Sequence, residues 1–225
     1  MKNIYIQTAC RSNYPQVGLV DFGIFCVKSG IRDNVVNSST VDRMFISVAV
    51  DQVEMEGKDN NSLCRYEFME AIVRLARAKY MDTAKETVLS EAVRRIIEDD
   101  ILKNWPWEPW MEFRVDSLWQ IEVADVIMVN IEGIKRLMTY YHYGRKAYFS
   151  KSDALRLFTR DSTMGLGDGE TTFFYGMSKM TVANEVKHYP RYDNMQLAEF
   201  CEMIGRVAAY KYADQADVPL SRKIE

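Results

Sequence analysis

Glu67-Phe68-Met69-Glu70-Ala71-Ile72-Val73-Arg74-Leu75-Ala76-Arg77-Ala78-Lys79-Tyr80 returns as Glu199-Phe200-Cys201-Glu202-Met203-Ile204-Gly205-Arg206-Val207-Ala208-Ala209-Tyr210-Lys211-Tyr212, 132 residues further on. Eight of the fourteen positions are identical (Glu, Phe, Glu, Ile, Arg, Ala, Lys, Tyr), which identifies an internal duplication rather than shared helical composition. In each copy apolar residues recur at helical spacing: Phe68, Ile72, Leu75 and Ala76 in one, Phe200, Ile204, Val207 and Ala208 in the other, with Arg74 and Arg206 off the stripe. The sequence therefore predicts two equivalent amphipathic helices, one per lobe.

A chain of 225 residues accommodates two small lobes. The net charge of −3 gives no global argument for nucleic acid. Cys10, Cys26, Cys64 and Cys201 are far apart and no pair has CxxC spacing. With neither a secretory leader nor a long apolar run, the expectation is a cytoplasmic protein with free thiols and no membrane partner.

Working outward from the repeat, residues 1–12 read as the stub of a helix, and the N-terminal edge as incomplete. Leu19 to Val27 suggests a short strand turning into a helix that ends near Ser29-Gly30, and Ser38-Ser39-Thr40 caps a helix through Met44, Phe45 and Val48. Asp82-Thr83-Ala84-Lys85-Glu86 reads as a capping-box start, with Val88, Leu89, Ala92, Val93, Ile96 and Ile97 on the apolar face behind it. That helix must stop before Trp105-Pro106-Trp107-Glu108-Pro109-Trp110. One helix is expected over roughly 121–141, another through Leu155 and Phe158, a glycine-rich turn at Gly165 to Gly169, a helix over about 171–183, and a poorly ordered polar tail. The expected organisation is an N-terminal lobe 1–81, a connector 82–120, a C-terminal lobe 121–212 and a tail 213–225.

Four loops share a pattern. An EF-hand loop of twelve residues carries oxygen ligands at positions 1, 3, 5 and 12, glycine at 6, an apolar residue at 8 that pairs with a neighbouring loop, and an aromatic at 13. Met195 to Phe200 fits positions 8 to 13, Leu63 to Phe68 fits with Glu67 at 12, Val20 to Phe25 fits with Gly18 at 6, and Phe149 to Ala154 fits with Asp153 at 12. The chain resembles degenerate EF-hand proteins of the calmodulin-like superfamily. The phrase Cys64 to Ala76 looks like those of protist ciliary and cytoskeletal members. The resemblance implies a mostly α fold of two EF-hand-like lobes, four degenerate helix-loop-helix hands joined by a helical connector containing Trp and Pro. It further implies a structural or adaptor subunit of a cytoskeletal assembly, with the cilium or flagellum, the axoneme and its microtubules as the expected setting.

Calcium requires six to eight oxygens. The first loop offers Asn13, Pro15, Val17 and Ile24, the third His142, Gly144, Lys146 and Asp153, and the fourth His188, Pro190, Tyr192 and Glu199. None is a calcium site. Only the second is arguable, with Glu56, Asn60 and Glu67 as weak candidate ligands against Lys58 at a ligand position. No cofactor is expected; a calcium sensor with one divergent site at 56–67 is the alternative.

Catalytic motifs are lacking. His142 and His188 lie in different loops, no GxSxG or HExxH surrounds them, and Gly165, Gly167 and Gly169 match neither a Walker nor a dinucleotide fingerprint. The chain is expected not to be an enzyme, although an enzyme on an unrecognised helical scaffold is a third reading. Segment 135–160 holds seven basic residues against Asp153 alone, centred on Arg145, Lys146 and Lys151, whereas 82–126 has eleven acids and five bases. The basic patch suits an acidic protein surface such as tubulin, with nucleic acid the weaker choice and a solvated face the bland one. Trp105, Trp107 and Trp110 are candidate partner anchors; the competing reading has the tryptophans cementing the two lobes, filling the hydrophobic grooves that an open EF-hand would show to a target helix.

Overall fold

The computed structural model describes residues 1–12, 14–50, 61–141, 149–161, 163–180 and 189–225. Over these the chain is mostly helical and divides into two units, Met1–Glu108 and Pro109–Glu225.

In the first unit, α1 (Lys2–Ala9) leads to strand β1 (Val17–Gly18), α2 (Leu19–Lys28) and α3 (Ser38–Val50), then strand β2 (Ser62–Leu63) and α4 (Arg65–Ala76), which runs on as a π-helical turn, Arg77–Met81. Finally α5 (Leu89–Arg95) continues as a second π-helical segment, Ile96–Leu102. The two strands pair antiparallel, Val17 opposite Leu63 and Gly18 opposite Ser62. The sequence expected Val20 opposite Leu63; the true register lies three residues earlier because α2 already starts at Leu19, and it brings Asp21 and Phe22 level with Glu67 and Phe68. Phe22 then meets Phe68 edge to face at 5.7 Å. Phe25 lies 4.9 Å from Phe68, and Tyr5 5.4 Å away. These rings, with Ile72 and Leu75, are fully buried and form the core.

The second unit has α6 (Trp110–Glu112) extended by a π-helical stretch, Phe113–Leu118, then α7 (Ile121–Val129), α8 (Ile131–Tyr141), α9 (Lys151–Leu155) with its continuation Arg156–Asp161, α10 (Asp168–Ser178), a 3-10 turn Tyr189–Asp193, α11 (Leu197–Lys211) and α12 (Leu220–Ile224). A single antiparallel bridge joins Phe149 to Met195. Phe149 and Phe200 are 4.7 Å apart in a core shared with Leu118, Met203 and Val207.

The duplication extends to the contacts of the repeat lysines, buried at Lys79 and exposed at Lys211. In the first copy the Lys79 ammonium donates to the carbonyls of Gly30 (2.8 Å) and Ile31 (3.1 Å) and to Asp100 Oδ1 (2.9 Å). In the second, Lys211 Nζ donates to the Met164 carbonyl at 2.7 Å. Each repeat lysine thus fastens its helix to the turn that follows an earlier helix of the same unit. The repeats differ at Val73 and Gly205 for a packing reason. A Cβ at Gly205 would stand 2.3 Å from Leu118 Cδ1, and Leu118 is fully buried. Gly205→Ala is expected to destabilise the second unit by about 1–3 kcal/mol, measured by chemical denaturation, while Val73→Ala should show only the ordinary loss of a side chain.

Several expected boundaries move. The connector 82–120 does not stand apart, since 82–108 belong to the first unit and 109–120 to the second. The helix expected to start at Asp82 starts at Leu89, because Lys85 N–H and Glu86 N–H both donate to the Tyr80 carbonyl at 2.9 Å. Ala84 there takes a left-handed conformation, φ 56°. The helix expected over 121–141 is two helices, interrupted at Asn130, whose side-chain Nδ2 donates back to the Val126 carbonyl at 2.9 Å. The tail contains α12, which packs on α11 and α7 with Leu220 and Ile224 against the core. All four cysteines are free and buried. Among the described residues no helix is long and apolar enough to cross a membrane.

Candidate functional site

Of the candidate calcium ligands, Glu56 and Asn60 lie outside the described residues. Glu67 is fully buried at the third position of α4, where its Oε2 accepts from the Cys64 backbone N–H at 2.8 Å. Asp153 does the same for Ser150 N–H (2.8 Å) at the start of α9, and Glu199 for Gln196 N–H (2.8 Å) at the start of α11. Each carboxylate satisfies a backbone donor that the helix end would otherwise leave orphaned. Asp21, brought into the same row by the register shift, accepts from Ser12 Oγ.

Glu199 has a further partner. Lys179, directly after α10, buries its side chain to 1 % exposure and sets its ammonium 2.9 Å from Glu199 Oε2. The same Nζ donates to the Asn194 carbonyl. Met180 N–H takes the other carboxylate oxygen, Oε1, at 2.7 Å. Burial pulls the Lys179 pKa below the ordinary lysine value, with the Glu199 charge opposing it. One turn earlier on α10, the Tyr175 hydroxyl donates to the Asp193 carbonyl at 3.1 Å, and the Lys179 ammonium lies 5.4 Å from the Tyr175 ring centre. No sequence motif announces this lysine; the one cue is a single cation within the otherwise uncharged run Phe173 to Asn184.

A second buried ionic cluster forms further along α11, around Glu202 and Arg206. The Arg114 guanidinium donates to both oxygens of Glu202, Nε to Oε2 at 2.9 Å and Nη2 to Oε1 at 2.8 Å. Arg206 donates to Glu202 Oε1 (2.8 Å) and to the Trp110 carbonyl (2.9 Å). At the repeat-equivalent positions Arg74 pairs with Glu70 at 2.7 Å, both about one-third exposed, and Arg74 also donates to Ser47 Oγ. The sequence placed Arg206 off the apolar stripe, which is right for Arg74; segment 110–118 covers its counterpart.

The candidate partner anchors separate. Trp105 is buried in the first unit, 5.4 Å from Phe25, with Nε1 donating to Gln7 Oε1 at 3.0 Å while Gln7 Nε2 donates to the Pro106 carbonyl at 3.1 Å. Trp110 is buried in the second unit, with the Arg114 guanidinium over its ring. Only Trp107 among the three is exposed. Arg145 and Lys146 lie outside the described residues. Lys151 opens α9, and its neighbours are partly neutralised: Lys135 pairs with Glu132 at 2.7 Å and Arg156 with Asp161 at 3.1 Å. In the acidic segment, Glu86, Glu91, Glu98 and Asp99 pair with Arg94 or Arg95 of their own helix or turn, and Asp100 with Lys79.

What the sequence reading missed is the outer face of α2. Phe22, Phe25 and Cys26 point into the core, yet Val20 (74 % exposed), Ile24 and Val27 form a second apolar stripe on the other side. With Gly23 and Val41 they line a groove of about 340 Å³. Lys28 and Arg32 at its rim have no ion-pair partner among the described residues, and Asp42 lines it as well. The signal was legible: Val20, Ile24 and Val27 stand at i, i+4 and i+7 while Phe22 and Phe25 keep a stripe of their own. No protein family's sequence model matches the chain, and neither a curated protein nor a solved structure matches it.

Proposed function

We propose that the protein is a non-catalytic structural or adaptor subunit built of EF-hand-like lobes that hold their shape without calcium, and that it docks a helical segment of an acidic partner on α2. The observation that carries this reading is the second apolar face of α2. A helix apolar on both sides is a helix with a partner on both sides, and the core accounts for one of them. Gly23, with open space around it, admits a close approach there. An amphipathic helix fits the groove between α2 and α3, and Lys28 and Arg32, with no ion-pair partner among the described residues, outweigh Asp42, which favours acidic residues flanking its apolar face.

The setting proposed is the cytoskeleton, with microtubules as the partner polymer; it follows from the resemblance to ciliary and cytoskeletal EF-hand-like proteins and from the fit of tubulin's acidic surface to a basic rim. Cosedimentation with polymerised microtubules, in calcium and in EGTA, tests it. Equal binding in both buffers is expected, with at least about a tenfold loss in Ile24→Asp/Val27→Asp, both solvent-facing changes that leave the melting temperature in place. Binding that appears only with calcium would favour a sensor, and no binding in either buffer would remove the microtubule reading.

A further inference from the structure

We infer that the Lys179 ammonium is the resident cation of the loop 188–199, standing where an EF-hand of this register would hold calcium. The inference rests on the EF-hand-like reading above and concerns the regulation of those lobes. In such a loop the seventh residue contributes its backbone carbonyl and the twelfth a bidentate carboxylate. Counted from His188, these are Asn194 and Glu199. The Lys179 Nζ donates to both, to the Asn194 carbonyl and to Glu199 Oε2.

Three of the carboxylate's roughly four acceptor positions are already taken by protein donors. Its Oε2 also accepts from Gln196 N–H, and its Oε1 accepts from Met180 N–H. Lys179 and Glu199 are both almost wholly buried. A divalent ion would have to displace a tethered ammonium from a site that offers it one carboxylate, so the residues present do not fit calcium.

The tether changes what the loop reports. Calcium orders an EF-hand loop only when it is bound; an ammonium fixed just past the end of α10 orders it at all times. Tyr175 in the last turn of α10 and Lys179 just after its end grip the successive carbonyls of Asp193 and Asn194. The next residue, Met195, donates its N–H to the Phe149 carbonyl at 2.7 Å, the bridge between the two loops of this unit. The lysine thereby fixes the register of that bridge in the way a bound ion would.

Amide hydrogen exchange of Met195, followed by NMR on the full chain in EGTA and again in calcium chloride, tests this. Wild type should protect Met195 equally in both. Lys179→Met should speed its exchange by about 10- to 100-fold, the equivalent of one charge-assisted hydrogen bond, and adding Glu199→Gln to it should change little more, since the two act as a pair. Retained protection in Lys179→Met overturns the clamp and leaves the adaptor reading standing. Protection that rises with calcium in wild type overturns both. Should Lys179→Met fail to fold, the wild-type protein decides alone: a resolved, slowly exchanging ¹⁵N ammonium signal for Lys179 in EGTA supports the clamp, and a solvent-averaged one overturns it.

Discussion

Glu202→Ala is expected to destabilise the second unit by about 3–5 kcal/mol, because it leaves the buried Arg206 and the partly buried Arg114 guanidiniums with no anion between them. The expectation comes from the difference between the repeats. Glu202 is completely buried and accepts from Arg114 and Arg206, whereas Glu70, its equivalent, pairs with Arg74 where both side chains are about one-third exposed. Glu70→Ala should therefore fall within about 1 kcal/mol of wild type, as exposed pairs do. Urea denaturation of the two variants side by side is the check. Equal small effects would mean that the Met177 carbonyl, to which Arg114 Nη2 already donates at 3.3 Å, is enough to hold that guanidinium once the carboxylate is gone. Restoring a hydrogen-bonding side chain by Glu202→Gln should recover only part of the loss, since the acceptor returns without its charge.

The repeat at 67–80 and 199–212 made the helices and their cores legible, because a helix with one buried face writes that face into its sequence at a fixed period. Phe68, Ile72 and Leu75, and Phe200 and Val207, are all buried as that period requires. Other features follow from contacts that the helical period does not record. Gly205 is small because Leu118 lies against it, and the start of α5 is delayed because two amides reach back to Tyr80. Neither fact has a local signature. The first loop was misread by three residues for a related reason: Gly18 suggested a loop turn, but the structure uses it as the residue before α2, and the aromatic that matches Phe68 is Phe22 rather than Phe25. The candidate site was legible only in outline. The tryptophans stood out by residue type, but type does not say which way a ring faces, and two of the three candidates face inward. The second stripe of α2 was written in the spacing and was masked by the stronger stripe of Phe22 and Phe25. Lys179 stood out only as an isolated cation, because an ammonium's partners across fifteen and twenty residues are properties of the fold.

Truncating Phe68 or Phe200 to alanine should cost about 3–5 kcal/mol in either case, and the pair of experiments tests the duplication itself. Each ring is fully buried and sits at the meeting point of its unit's aromatic cluster. Phe68 touches Tyr5, Phe22 and Phe25; Phe200 touches Phe149 and Phe158. The surroundings differ enough to rank the two. Around Phe68 three rings would face the cavity, and rigid aromatic walls collapse poorly, so its loss should lie at the upper end of the range. Around Phe200 the wall includes Met195 and Met203, unbranched side chains that can swing inward, so its loss should lie at the lower end. Denaturation followed by hydrogen exchange at amides of α4 and α11 separates the units, since Phe68→Ala should lower protection in α4 and Phe200→Ala in α11. If one variant kept wild-type protection in its own helix, the two copies would not be doing equivalent work, and the repeat would mark a shared ancestry of sequence without a shared role in stability.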